Sequence, residues 1–113
     1  MFDRVPSVDV DGAQSLLADG AELLDVRRDD EWRAGHAPQA VHVPLDQLPA
    51  RVGELSTDRR VVAVCRSGAR SGRATMYLRS LGLDVVNLEG GMQAWVRAGR
   101  DVVGDGGGHG YIA

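Results

Sequence analysis

The sequence predicts an α/β domain: a parallel central sheet of about five strands with helices on both faces. Three observations carry this. Short apolar runs alternate with segments whose apolar residues recur at spacings of three and four. The links between them are only a few residues long, so consecutive strands are joined through helical crossovers. Charged and reactive residues gather just after the apolar runs, at the carboxyl ends of the strands, where open parallel sheets place their ligands. The 113 residues suit one domain over 1–113. Its core is expected at about 7–103, followed by a Gly-rich tail at 104–113.

Val8-Asp9-Val10 reads as a short extended piece, and Asp9 or Asp11 can cap a helix whose Ala13, Leu16 and Leu17 share one face. Gly20 ends it. Ala21 to Val26 is a mostly apolar strand that delivers Asp25 and Arg27 at its end, on one side of the backbone alternation. Asp29-Asp30-Glu31-Trp32 opens a short helix with acids in its first turn, where the dipole favours them, and Gly35 closes it. Trp32 is expected as a core anchor. Ala40 to Val43 is a third strand, which Pro44 keeps from continuing as a central ladder. Leu45, Leu48, Val52 and Leu55 mark a helical face with an irregular first turn, because Pro49 lies within it. Val61 to Val64 is the fourth strand. After the loop that follows, Ala74, Tyr77, Leu78 and Leu81 form a helical stripe closed by Gly82. Asp84 to Leu88 supplies the last strand, Gly90-Gly91 a tight turn, and Met92, Trp95 and Val96 the buried face of a helix ended by Gly99. The five glycines of 104–110 give an extended or mobile terminus, onto whose parent body Tyr111 and Ile112 can dock.

The reactive centre is Cys65-Arg66-Ser67-Gly68-Ala69-Arg70-Ser71, which holds the protein's single cysteine. A free cysteine at a strand end most often simply packs in the core. Here Ser67, Gly68, Arg70 and Ser71 are poor core material, and the segment reads as an anion-binding turn leading into a helix. Converging backbone N–H groups, a positive helix terminus and two arginines within five residues favour a thiolate, which is the nucleophilic form. Asp25 and Arg27 are expected as a buried pair that supports this loop, since strand-end charges near a parallel-sheet core must be satisfied. His36 and His42 are read as hydrogen-bonded structural residues, Gly90-Gly91 as backbone geometry, and His109 as a polar tail residue.

Charge and composition exclude several classes. With 13 Lys+Arg against 16 Asp+Glu, and no basic tract, nothing supports nucleic-acid binding. The longest apolar stretches fall far short of the roughly 20 residues that span a bilayer, and Met1-Phe2-Asp3-Arg4 begins no signal-peptide pattern, so no membrane partner is expected and a cytoplasmic location is. One cysteine rules out an intramolecular disulfide and a Cys-based zinc cluster, and suits a reducing compartment. Neither cofactor nor metal is expected.

Four segments, Leu24-Asp25-Val26-Arg27, Gly35-His36-Ala37-Pro38, Val64-Cys65-Arg66-Ser67-Gly68-Ala69-Arg70-Ser71 and Leu88-Glu89-Gly90-Gly91-Met92-Gln93-Ala94-Trp95, stand in an order and at separations that resemble a single-domain rhodanese over about 7–103. The resemblance implies a sulfurtransferase in which Cys65 takes a sulfane sulfur from a donor (thiosulfate or a persulfide) and passes it to a thiophilic acceptor (cyanide, a thiol or a protein sulfur carrier). It also implies that Arg66, Ser67, Gly68, Ala69, Arg70 and Ser71 bind the outer sulfur, with backbone N–H groups as the cradle. Related phosphatases place five residues between Cys and Arg, whereas Arg66 to Ala69 number four. The tighter loop suits sulfur over a tetrahedral phosphate or arsenate. A phosphatase or arsenate reductase is therefore the enzymatic alternative, and a non-catalytic binding module of the same fold is the other. Ala37 and Gln39 depart from the family pattern, and Glu31 stands where two-domain thiosulfate enzymes tend to carry an Arg. A carboxylate near the mouth is expected to repel dianionic thiosulfate and to favour a protein or low-molecular-weight persulfide.

Overall fold

The computed structural model describes residues 4–113; Met1, Phe2 and Asp3, on which the absence of a signal pattern partly rests, lie outside the described residues. Five strands alternate with five helices. In chain order they are β1 (Ser7–Val8), α1 (Val10–Ala18), β2 (Glu22–Asp25), α2 (Asp29–Ala34), β3 (Val41–His42), α3 (Leu48–Arg51), β4 (Val61–Val64), α4 (Ala69–Ser80), β5 (Val85–Leu88) and α5 (Gly91–Arg97). Short 3-10 turns at Leu45–Gln47 and Val52–Glu54 flank α3, the irregularity that Pro49 imposes. The sheet runs β1-β5-β4-β2-β3, and every pairing is parallel. The fold class expected from the sequence is the one observed.

Strand alternation sorts the core into two layers. Leu24, Val26, Val61, Ala63 and Cys65 face α3 and α4, where Leu48, Ala74 and Leu78 complete one cluster. Leu23, Val62, Val64 and Leu88 face α1 and α5, where Val10, Ala13, Met92 and Trp95 complete the other. Central β4 is buried along its whole length, as a strand covered on both faces must be. Asp9 caps α1, its carboxylate accepting the Gly12 N–H at 2.8 Å.

Four expectations need correction. Trp32 is half-buried rather than a core anchor; its indole stacks on His36, with centroids 3.6 Å apart, and on His42, at 4.6 Å. On α4, Tyr77 and Leu81 are exposed, and the buried face carries Ser71, Gly72, Ala74, Thr75 and Leu78. The helix is rotated so that Ser71 meets the sulfur of Cys65, which turns Tyr77 and Leu81 outward. Val96 is exposed as well, because Met92 and Trp95 alone fill the inward face of α5. The C-terminal tail is docked: Val103 bridges His36 and His109, the Tyr111 N–H donates to Ala34 O at 3.0 Å, and Ile112 packs against the second core cluster. A side chain at Gly35 would collide with the Tyr111 backbone, so Gly35 makes room for the tail as well as closing α2.

Candidate active site

β4 ends at Val64, and the chain passes through Cys65 into a loop that becomes α4 at Ala69. Gly68 caps α4 with φ +114°, a left-handed conformation that side-chain-bearing residues rarely adopt. This turn aims donors back at the sulfur. The Gly68 N–H lies 3.1 Å from Cys65 Sγ, and the Ser71 hydroxyl lies 3.2 Å from it. Burial of Cys65, which is 1% exposed, pushes its thiol pKa up, but hydrogen bonds outweigh it. The Ser71 hydroxyl and the N–H groups of Ser71, Gly68 and Ser67 together hold the thiol below its usual value.

The loop is stitched to the start of α5. Met92 N–H donates to Cys65 O at 2.7 Å and Gln93 N–H to Arg66 O at 3.1 Å. This requires close approach, and a Cβ on Gly91 would collide with Cys65 O and Arg66 O. Asn87, buried on β5, adds side-chain bonds to Ser71 and Gly68.

The two loop arginines are both engaged away from the sulfur. Arg66 Nε donates to Ala113 O at 2.9 Å. Arg70 grips Glu31 with two nitrogens, Nη1 to Oε1 at 2.6 Å and Nη2 to Oε2 at 2.8 Å. The Arg70 hydrogen bonds are the main reason that the Glu31 carboxyl is pulled down to about 2, against the opposing effect of burial. Glu31 is thus a buried partner of Arg70, 3% exposed, and is not the free carboxylate expected to repel ligands at the mouth. It also accepts the Arg28 N–H at 3.1 Å, which fixes the first turn of α2.

Asp25 and Arg27 form the expected buried pair, both 0% exposed, with Arg27 Nη2 2.8 Å from Asp25 Oδ2. Their network ends elsewhere than expected. Arg27 Nη2 continues to Gly35 O at 2.7 Å, so the pair clamps the end of α2; among the described residues it makes no hydrogen bond to residues 65–71. His42 and His36 serve structure, as expected: His42 Nε2 meets Arg27 O and His36 Nδ1 meets Trp32 O, each at 2.7 Å, and a carbonyl partner means that each of these nitrogens carries the proton. Beside Arg70, an apolar cleft of about 420 Å³ is lined by Val26, Pro44 and Leu45, with Arg28 and Asp46 at its rim. Among the described residues no group of His, Cys, Asp and Glu is placed to hold a metal, and none of their helices is long and apolar enough to cross a membrane.

Sequence reasoning found Cys65 and its loop but missed Asn87, whose signal was a single amide inside an otherwise apolar strand.

Residues 9–98 match the rhodanese-like domain family. The chain belongs to that family. It is 40% identical over 102 residues to a sulfurtransferase of Allochromatium vinosum, covering 88% of this chain and 95% of that protein. It is 45% identical over 73 residues to the putative sulfurtransferase YtwF of Bacillus subtilis, covering 65% of this chain and 71% of that one. Among solved structures, a rhodanese-related protein from Thermoplasma volcanium matches with a TM-score of 0.81 at 30% identity, over 87% of this chain and 97% of that chain. Within the rhodanese-like frame the cysteine loop sits between the carboxyl end of the central strand and α4.

Proposed function

We propose that this rhodanese-like protein is a sulfurtransferase that carries a sulfane sulfur on Cys65. The observation that supports it best is the set of donors around Sγ, with Gly68 N–H at 3.1 Å and Ser71 Oγ at 3.2 Å, in a loop too short to enclose a tetrahedral oxyanion. The Cys65 thiolate attacks the outer sulfur of the donor, and the donor's S–S bond breaks. Its electron pair leaves with sulfite or with an organic thiolate, and Cys65 becomes a persulfide. An acceptor nucleophile, cyanide, a thiol or a protein sulfur carrier, then attacks the outer sulfur and returns Cys65 to the thiolate. No net oxidation occurs, and no cofactor is called for. The outer sulfur takes up the negative charge and is held by the inward N–H groups of the loop.

An organic persulfide is the better donor in this reading. Thiosulfate brings two negative charges, and the Arg70 guanidinium that could meet them is already neutralised by Glu31. The apolar cleft beside Arg70 suits the carbon body of a small persulfide. A lone free cysteine suits a reducing compartment, which supports a cytoplasmic location in this reading. The test is thiocyanate formation from cyanide with each donor. Activity lost in Cys65→Ser, and a higher kcat/KM for an alkyl persulfide than for thiosulfate, are expected. Activity retained in Cys65→Ser would overturn the assignment.

A further inference from the structure

Asn87 is the one side-chain amide in β5, flanked by Val86 and Leu88 and only 7% exposed. A buried amide in a strand costs free energy unless its donors and acceptor are matched. Here both ends are used on the active-site loop. Nδ2 donates to Gly68 O at 3.2 Å, and Oδ1 accepts from Ser71 Oγ at 2.6 Å. Because Gly68 O can only accept, the amide orientation is fixed, with its oxygen toward Ser71. These two partners are the same residues whose N–H and hydroxyl reach Cys65 Sγ.

We propose that Asn87 is a positioning residue for sulfur transfer: it holds Gly68 and Ser71 in register so that their donors converge on Cys65. This rests on the sulfurtransferase reading above and extends it to a residue that does not touch the sulfur. Ser71 has one hydroxyl proton and two acceptors, Asn87 Oδ1 and Cys65 Sγ. While Cys65 is a thiol, the proton rests on Asn87. When the thiolate forms, rotation about the Ser71 Cβ–Oγ bond delivers it to Sγ without moving the backbone that Asn87 fixes. Once the charge passes to the outer sulfur of a persulfide, the proton returns to Asn87. The amide thus keeps Ser71 oriented through both halves of the cycle.

The test is the pH profile of iodoacetamide alkylation at Cys65, followed by mass spectrometry, in wild type, Asn87→Val and the near-isosteric Asn87→Asp. Loss of aim by two donors should raise the alkylation midpoint by about one unit and slow labelling at neutral pH about tenfold. Ser71→Ala should give a smaller rise, and the double variant Ser71→Ala/Asn87→Val less than the sum, since the two act through shared bonds. Asn87→Asp keeps the shape while its ionised carboxylate loses the donor to Gly68 O, so it should shift the midpoint in the same direction even if Asn87→Val folds poorly. A midpoint unchanged in both Asn87 variants would reduce Asn87 to core packing. A lowered one would make it a competitor for the Ser71 proton; either result overturns the proposal. Alkylation of the sulfur-free protein reports the ionisation of Cys65 whether or not the protein goes on to transfer sulfane sulfur. Wild type that labels fast but takes up no sulfur would fault the sulfurtransferase reading and leave the Asn87 result standing.

Discussion

Glu31 and Arg70, 39 positions apart in sequence, are joined by two parallel hydrogen bonds of 2.6 and 2.8 Å. The pair spans from the first turn of α2 to the first turn of α4, and it takes up the Arg70 guanidinium, which also feels the charge of Cys65. Charge-assisted, two-point bonds of this kind are both strong and directional. The site therefore presents backbone N–H groups to a ligand and little free positive charge.

Freeing that charge should change donor preference. Glu31→Gln removes the negative partner and leaves Arg70 available, and thiosulfate kcat/KM should rise roughly fivefold to tenfold, the scale of one short-range charge interaction in a partly solvated site. The gain should shrink as salt is added. Steady-state assays with thiosulfate at low and high ionic strength measure this. An unaltered thiosulfate rate would mean that the charge of Arg70 does not limit donor use.

The same pair makes an acid-sensitive contribution to stability. The folded-state pKa of Glu31 is depressed from 4.5 to about 2, so its stabilisation is fully present above the unfolded value near 4.5. It is lost as pH falls through the folded value near 2. Glu31→Gln should flatten the fall in denaturant midpoint between pH 4.5 and pH 2, removing on the order of 2 kcal/mol of pH-dependent stability. Equal slopes for wild type and variant across this window would remove Glu31 as the source.

Breaking the pair from the other side should cost more. Arg70→Ala leaves the Glu31 carboxylate buried with one partner fewer, which typically costs about 3–5 kcal/mol, whereas Glu31→Gln leaves only the partly exposed Arg70 charge unpaired and should cost about 2 kcal/mol. Urea unfolding at neutral pH ranks the two variants. If Arg70→Ala were the milder of them, Glu31 would have to be solvated in the folded protein.

Two glycines act on the loop in different ways. At Gly68 the space toward the rest of the protein is ordinary, with the nearest atoms to an added Cβ at 3.6 Å or more, so what the fold demands there is the φ of +114°. Gly68→Ala should cost about 1–2 kcal/mol through backbone strain. Gly91→Ala instead drives a methyl into Cys65 O, and the loop must move. It should slow alkylation of Cys65 more than Gly68→Ala does at comparable melting temperature. Labelling rates that followed stability alone would contradict this division.

Much of this arrangement was legible in the residues. Polar Ser67, Gly68, Arg70 and Ser71 after an apolar run marked the loop, and Asp9, Gly20, Gly82 and Gly99 marked helix ends, because caps and left-handed turns demand particular residue types. The rotation of α4 was not legible. Apolar spacing alone favoured Tyr77 and Leu81 as buried, but the polar side chains of Ser71 and Thr75 take the inward positions, Ser71 on the sulfur and Thr75 on Ser71 O at 2.8 Å. A site imposes its own geometry on a helix, and hydrophobic patterning does not record it. Asn87 escaped for a related reason, since one amide in an apolar strand carries no periodic signal. The docked tail depends on long-range backbone pairing between Val103 and His36, which five glycines in sequence argue against.

The central claim is that Cys65 carries covalent sulfur during turnover. Protein incubated with thiosulfate or an alkyl persulfide, desalted and weighed intact by mass spectrometry should gain one sulfur atom. It should lose that atom on addition of cyanide or a thiol, and show no gain as Cys65→Ser. Wild-type protein that gains no sulfur from either donor would contradict the account.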